Sequence, residues 1–167
     1  MAAGSTYTPI ATTTASGSST NVTFSSISGS YTDLVLIIAN VTAQIDNVAI
    51  TLNSDTGSNY SRTILNGNGS TASSNRNNNQ SYLYTMYKDT AGGDPVMSIS
   101  QFQNYSNSTT YKTVLTRQET NSGGTKSVQA MVSLWRSTSA ITSISINSGN
   151  ANFNSGSTFT LYGILAA

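Results

Sequence analysis

The 167-residue sequence contains no cysteine and no histidine, and charged residues make up only 8% of it. Without cysteine there is neither a disulfide framework nor a thiolate nucleophile, and without histidine the commonest general base and metal ligand is missing. Only five aspartates and one glutamate remain as carboxylates. No glycine-rich phosphate loop with its lysine occurs either. Because these absences exclude most catalytic and cofactor sites, we predict that the protein is not an enzyme and binds no cofactor.

The sparse charges also argue against two classes of partner. Seven basic residues lie scattered between Arg62 and Arg136, and the formal net charge is +1, so no basic patch for nucleic acid forms along the sequence. The longest apolar run, residues 34–39, is far shorter than the roughly 20 residues of a membrane-spanning helix. Residues 1–5 lack the basic and apolar regions of an export signal. We expect neither nucleic acid nor a membrane as a partner.

Serine, threonine and asparagine make up about two-fifths of the chain, and the dominant period of the apolar residues is two. Such alternation predicts short strands, and the turn residues between them are typical of an antiparallel β-sandwich or barrel. We predict one all-β domain over residues 1–167, with residues 1–9 as a short N-terminal segment. The ten predicted strands cover residues 21–24, 33–40, 48–52, 60–65, 80–88, 96–102, 111–119, 126–137, 141–147 and 158–165.

One of these segments is ambiguous, because residues 128–135 also fit the spacing of an amphipathic helix. We predict a strand there, since Gly123 and Gly124 precede it and suit a hairpin turn after residues 111–119. Alternation then places Met131 and Trp135 on one side and Val128 and Leu134 on the other, which leaves apolar surface outside the core. The predicted core consists of Phe24, Leu34, Leu36, Ile50, Leu115, Val132, Leu134, Ile146 and Leu161.

Residues 66–80 are almost wholly polar. The pairs Asn66-Gly67 and Asn68-Gly69 suit a tight turn, because both residue types tolerate a positive φ. We predict an exposed, mobile loop over the whole of this segment.

Two carboxylate-containing loops are candidate sites. Asp89 and Asp94 flank a glycine pair, and two carboxylates at the right separation can hydrolyse a glycosidic bond. Residues 53–59 alternate oxygen-bearing side chains around Gly57, which is a pattern suited to Ca²⁺ or Mg²⁺. We favour the simpler interpretation that both loops are turns whose aspartates accept backbone hydrogen bonds. Lysines 88, 112 and 126 follow no catalytic motif, so we predict neither a catalytic nor a metal site.

Nine tyrosines give the chain many rings that are apolar with a polar tip, a type favoured at interfaces and on sugar-binding surfaces. In the predicted strand 80–88, Tyr82, Tyr84 and Met86 share one face, and Leu83, Thr85 and Tyr87 share the other. One face must meet the core. The outward face is then available for a subunit or a glycan, of which we favour the subunit.

Several phrases of the sequence together resemble a family of small virion proteins of tailed bacteriophages, described variously as tail, fibre or structural proteins. The resemblance extends from Ile10 to Leu165, and its most specific part is the closing phrase Leu161-Tyr162-Gly163-Ile164. The other phrases are residues 22–27, 31–36, 55–61, 65–69, 134–137, 141–144 and 156–160. The resemblance implies a jelly-roll-type sandwich with a structural role in the virion, and it brings no catalytic residues.

The resemblance leaves open where in the virion the protein lies. A compact module without an attachment shaft favours a capsid decoration (cement) protein that is assembled in the host cytoplasm and binds the major capsid protein. The alternative is a tail or baseplate appendage, or fibre module, that binds a host surface glycan. Jelly-roll virion modules also suggest a cyclic homotrimer, so a further copy of the chain is an expected partner.

Overall fold

The computed structural model describes residues 6–43, 45–88, 94–122 and 125–165, and these residues form twelve β-strands and no helix. The described part of the chain accordingly holds no helix that is long and apolar enough to cross a membrane. In chain order the strands are β1 (Tyr7–Thr14), β2 (Asn21–Phe24), β3 (Asp33–Val41), β4 (Ile45–Leu52), β5 (Tyr60–Gly67), β6 (Ala72–Gln80), β7 (Leu83–Lys88), β8 (Val96–Phe102), β9 (Lys112–Ser122), β10 (Thr125–Trp135), β11 (Ile144–Asn147) and β12 (Thr158–Ile164).

The strands form a β-sandwich, as the alternation predicted. A large sheet has the order β1-β12-β3-β8-β9-β10-β5-β6, and a small sheet has the order β7-β4-β11-β2. All pairs are antiparallel except for one parallel pair, Lys88 with Asn121, that joins β7 to β9. The two sheets therefore cover each other over the small sheet's four strands, and the large sheet extends beyond them.

Eight of the strands pair in a nested order. The first strand pairs with the last (β1 with β12), β2 pairs with β11, β3 with β8, and β4 with β7. Two further contacts, β12 with β3 and β11 with β4, assemble these ribbons into the two sheets. The hairpins β5–β6 and β9–β10 are additions to this scheme, because both extend the large sheet from β8 outward.

The core lies between the sheets and is built from alternate residues of each strand. In β12, Phe159, Leu161 and Gly163 are buried while the residues between them are partly exposed. The buried set includes six of the predicted core residues: Phe24, Leu34, Leu36, Ile50, Ile146 and Leu161. The core prediction is wrong for Leu134, which is only partly buried and does not belong to the hydrophobic core. The core prediction is also wrong for Leu115 and Val132, which are 37% and 53% exposed.

The error at Leu115 and Val132 arises because the hairpin β9–β10 has no purely polar face. Its inner face carries the buried polar residues Thr116, Gln118 and Ser133 beside apolar ones, whereas its outer face carries the exposed Leu115, Val128 and Val132. The Thr116 hydroxyl is partnered, since its Oγ1 lies 2.9 Å from Ser100 Oγ, whereas the buried Ser133 Oγ has no hydrogen-bond partner among the described residues. A second buried pair joins Thr85 Oγ1 of β7 to Ser98 Oγ of β8 at 3.0 Å, across the sandwich.

The predicted strand over residues 128–135 is confirmed, as is its hairpin with the preceding segment. β9 and β10 pair in unbroken register from Thr125 with Ser122 to Trp135 with Lys112. The turn residues themselves, Gly123 and Gly124, lie outside the described residues. Met131 and Trp135 are both buried, and they share the inner face of β10.

Twelve strands rather than ten result because two strands were not predicted. Residues 66 and 67 end β5 and residues 72–80 form β6, so the prediction of a loop throughout residues 66–80 is wrong. The turn spans only Asn68–Thr71, where the Asn68 side-chain oxygen accepts the N–H groups of Ser70 and Thr71. β6 is the edge strand of the large sheet, and nearly all its side chains are exposed on both faces. Such a strand shows no apolar alternation.

The second missed strand, β1, forms the opposite edge of the large sheet. Residues 7–9 of the predicted N-terminal segment belong to it, and its register with β12 shifts between Pro9 and Ala11. Proline is tolerated there because an edge strand has one side without a hydrogen-bonding neighbour. Both missed strands are thus edges, which explains why their polar sequences resemble loops.

Gly163, in the closing phrase of the sequence, packs directly beneath the ring of Tyr31. A Cβ at this position would lie 2.3 Å from Cγ and from Cδ1 of that ring. We expect Gly163→Ala to lower the free energy of unfolding by about 2 kcal/mol, because the ring must move away. Urea denaturation measures this change. The matched control is Gly67→Ala, since a Cβ there meets nothing within 4 Å; equal effects of the two substitutions would contradict the packing argument.

Candidate functional site

Asp89 and Asp94 were the candidate pair of catalytic carboxylates. Asp89 lies outside the described residues. Asp94 is exposed and forms an ion pair with Lys126, whose Nζ lies 3.3 Å from Asp94 Oδ2. A pair at the surface is screened by solvent and contributes little to stability.

The loop 53–59 is organised by hydrogen bonds to Asp55. Its Oδ1 accepts the backbone N–H of Gly57 at 2.8 Å, which is the Asx turn that the sequence favours. Its Oδ2 accepts Trp135 Nε1 at 2.7 Å and Asn59 Nδ2 at 2.9 Å. Both carboxylate oxygens therefore accept hydrogen bonds from N–H groups of the protein. Among the described residues no three carboxylates cluster as metal ligands do.

The same hydrogen bonds explain the acidity of Asp55. Desolvation acts to raise its pKa, but the bonds from Trp135, Asn59 and Gly57 outweigh that effect, and the pKa of Asp55 is lowered. Beside it, Tyr60 stacks on Trp135 and donates its hydroxyl to the Asp55 carbonyl oxygen at 2.9 Å. Burial raises the pKa of Tyr60 to about 12. These groups form a structural cluster that joins the loop 53–59 to the start of β5 and the end of β10.

Lys112 is another buried polar group with a structural role. Its Nζ donates to the backbone oxygens of Thr110 at 2.6 Å and Thr138 at 3.1 Å. Burial lowers the pKa of the Lys112 ammonium group. Two carbonyl acceptors satisfy the ammonium group and tie the start of β9 to the loop after β10.

In β7 the predicted alternation holds for Leu83 and Thr85, which share the buried face, but not for Met86, and the side chain of Tyr87 lies outside the described residues. Leu83, Thr85 and Met86 are all buried, because the register of β7 against β4 shifts at this point. Tyr84 is half-buried, with the Arg62 guanidinium 4.8 Å from its ring centroid. Tyr82 is partly buried. Of the tyrosines whose side chains are described in residues 80–88, Tyr82 and Tyr84 are thus both only partly exposed.

The most distinctive surface lies on the outer face of the large sheet, which is the side away from the small sheet. We call it the apolar patch, and it consists of Leu65, Met97, Ile99, Leu115, Val128, Ala130 and Val132. Its most exposed members are Val128 at 69% and Leu65 at 60%. Cross-strand register explains why they meet: Leu115 pairs with Val132, and Ala130 pairs with Leu65. Contiguous exposed apolar surface of this kind marks interaction sites.

The apolar patch is slightly concave. Two adjoining depressions of about 790 and 440 Å³ share Leu65, Ile99, Arg117 and Ala130 as lining residues. Arg117 lies at the centre, between Ile99 and Ala130 on the neighbouring strands. Glu119 follows two residues later on the same face, beside Val128. Within the described part of the chain neither of these charges has an ion-pair or hydrogen-bond partner.

The sequence predicted that apolar surface lies outside the core, but it assigned some of the residues of that surface to the core. The expectation that β10 leaves such surface is confirmed by Val128, whereas Val132 was assigned to the core. The two charged residues Arg117 and Glu119 could have identified the outer face of β9 from the sequence. Charged residues at alternate positions of a strand mark its outer face, and Leu115 has the same parity.

No protein-family model matches the chain, and no curated protein matches it either.

Proposed function

We propose that the protein is a non-enzymatic structural protein of a tailed-phage virion, and specifically a capsid decoration protein. The resemblance of its sequence phrases to small virion proteins supports this assignment. The nested pairing of eight strands also supports a jelly-roll-type sandwich, because two interlocked sets of four strands are the hallmark of that arrangement.

The observation that carries the proposal is the apolar patch. Elsewhere the surface is dominated by hydroxyl and amide side chains, as on the outward positions of β2 and β6. A broad apolar area on the face of a sheet suits contact with another protein. The apolar patch therefore suits a protein whose function is to bind other proteins in an assembly.

A decoration protein stabilises a shell by binding only its assembled form, which shifts the equilibrium by mass action. This function needs a rigid module and protein-binding surfaces. The major capsid protein is the proposed partner, with a cyclic homotrimer as the binding unit. A tail appendage that binds a host glycan has the same size and charge, so the copy number decides between the two locations.

We expect hundreds of copies of this chain in each purified particle, because a decoration protein follows the capsid lattice. Quantitative mass spectrometry against labelled peptides measures the ratio to the major capsid protein, and a known tail protein in the same sample provides the internal control. A count of about a dozen would place the protein on the tail and overturn the decoration role. Complete absence from particles would overturn the virion role itself.

A further inference from the structure

The position of Arg117 and Glu119 within the apolar patch indicates what covers it. We propose that the patch binds a second copy of this chain, with Arg117 of one subunit paired to Glu119 of its neighbour. This inference rests on the proposed assembly function. It identifies the surface through which the copies associate.

The argument begins with the cost of burying a charge. Any partner that covers the apolar patch also removes Arg117 and Glu119 from water, and an unpaired buried charge is strongly unfavourable. Both side chains are exposed in the single chain, and no described residue forms an ion pair with either. The partner must therefore supply a carboxylate for Arg117 and a cation for Glu119.

A second copy supplies both groups by symmetry. Residues two apart on a strand have side chains about 7 Å from each other on one face. When the patches of neighbouring copies meet around the axis of the cyclic homotrimer, Arg117 of each copy can face Glu119 of the next, because every copy presents both signs of charge. Another partner would need opposite charges at the same spacing within an apolar surface.

The size of the surface agrees with self-association. The apolar patch contains five large apolar side chains that are each at least 37% exposed, namely Leu65, Met97, Leu115, Val128 and Val132. A standard protein interface buries about 800 Å² on each partner. The polar residues Thr63 and Gln101, which pair with Val132 and Leu115, lie beside the patch on the same face and contribute to a rim, as is usual around an apolar centre.

The test exchanges the charges one at a time and then together. We expect the wild-type chain to form an oligomer at micromolar concentration, and Arg117→Glu or Glu119→Arg to raise its dissociation constant at least tenfold through like-charge contact. The double variant Arg117→Glu/Glu119→Arg restores opposite charges and is expected to recover most of that loss. Sedimentation velocity and native mass spectrometry measure the association.

Two control variants separate association from folding. Thr23→Glu adds a charge on the outer side of the small sheet and is expected to leave the oligomer unchanged. Val132→Asp places a charge inside the apolar patch and is expected to give a folded monomer, as circular dichroism verifies. A wild-type chain that stays monomeric, or a double variant no better than the single ones, overturns the inference. Copy number in the virion is measured independently, so either conclusion can fail without the other.

Discussion

Replacing Asp55 by alanine is expected to lower the free energy of unfolding by about 3 kcal/mol. The substitution removes the acceptor of three N–H groups, of which the Trp135 indole N–H belongs to a side chain that is only 2% exposed. In the variant this buried indole N–H has no acceptor in the folded state, whereas in the unfolded state it donates to water. The lost hydrogen bond therefore destabilises the fold. Urea denaturation at pH 7 and at one protein concentration measures the change.

The pH dependence identifies the carboxylate as the cause. Because the folded pKa of Asp55 is lowered, its stabilising effect is present above the unfolded value of 3.8 and is lost as the pH falls through the folded pKa. The difference between the wild type and Asp55→Ala should therefore be full at pH 7 and should shrink below about pH 4. Asp94→Asn, at an exposed ion pair, is the control and should change stability by less than about 0.5 kcal/mol. A difference that does not depend on pH would contradict this role for the carboxylate.

Phe159→Ala is expected to cost about 4 kcal/mol of unfolding free energy. Phe159 is fully buried in β12, and its ring meets that of Phe153 edge to face at a centroid distance of 4.7 Å. Phe153 belongs to the segment between β11 and β12, where its N–H donates to the Ser19 carbonyl oxygen. Truncation of Phe159 thus leaves a cavity beneath two chain segments.

The matched variant for this site is Phe159→Leu, which keeps most of the buried volume and should cost no more than about 1.5 kcal/mol. Chemical denaturation of both variants, with the protein concentration held constant, gives the two values. If Phe159→Ala cost no more than Phe159→Leu, the site would be able to collapse around the smaller side chain, and the packing argument would fail.

The sequence predicted the sandwich well where one face of a strand meets the core. Ile144 and Ile146 alternate with polar neighbours in β11, and both are buried. Alternation was absent in β1 and β6, because an edge strand of the large sheet meets little apolar surface on either side. Those two strands could be recognised only from their pairing, which depends on residues far away in the chain.

The apolar patch was harder to predict for a related reason. In β9, Leu115 faces outward while Thr116 faces inward, so hydrophobicity alone points to the wrong side. The hydroxyl of Thr116 is acceptable in the interior only because Ser100 lies opposite it. That partner comes from another strand, and the pairing of the two strands cannot be inferred from the local pattern of either.

The buried hydroxyl pair Thr85 and Ser98 has a consequence for how the two sheets are aligned. Aliphatic side chains attract one another in many relative positions, whereas a hydrogen bond requires one distance and one direction. Sliding of the small sheet over the large one would separate these hydroxyls and leave both without a partner, at a cost of about 1–3 kcal/mol for each. The pair therefore fixes the position of the small sheet on the large one, in addition to the backbone pair of Lys88 with Asn121 that joins β7 to β9.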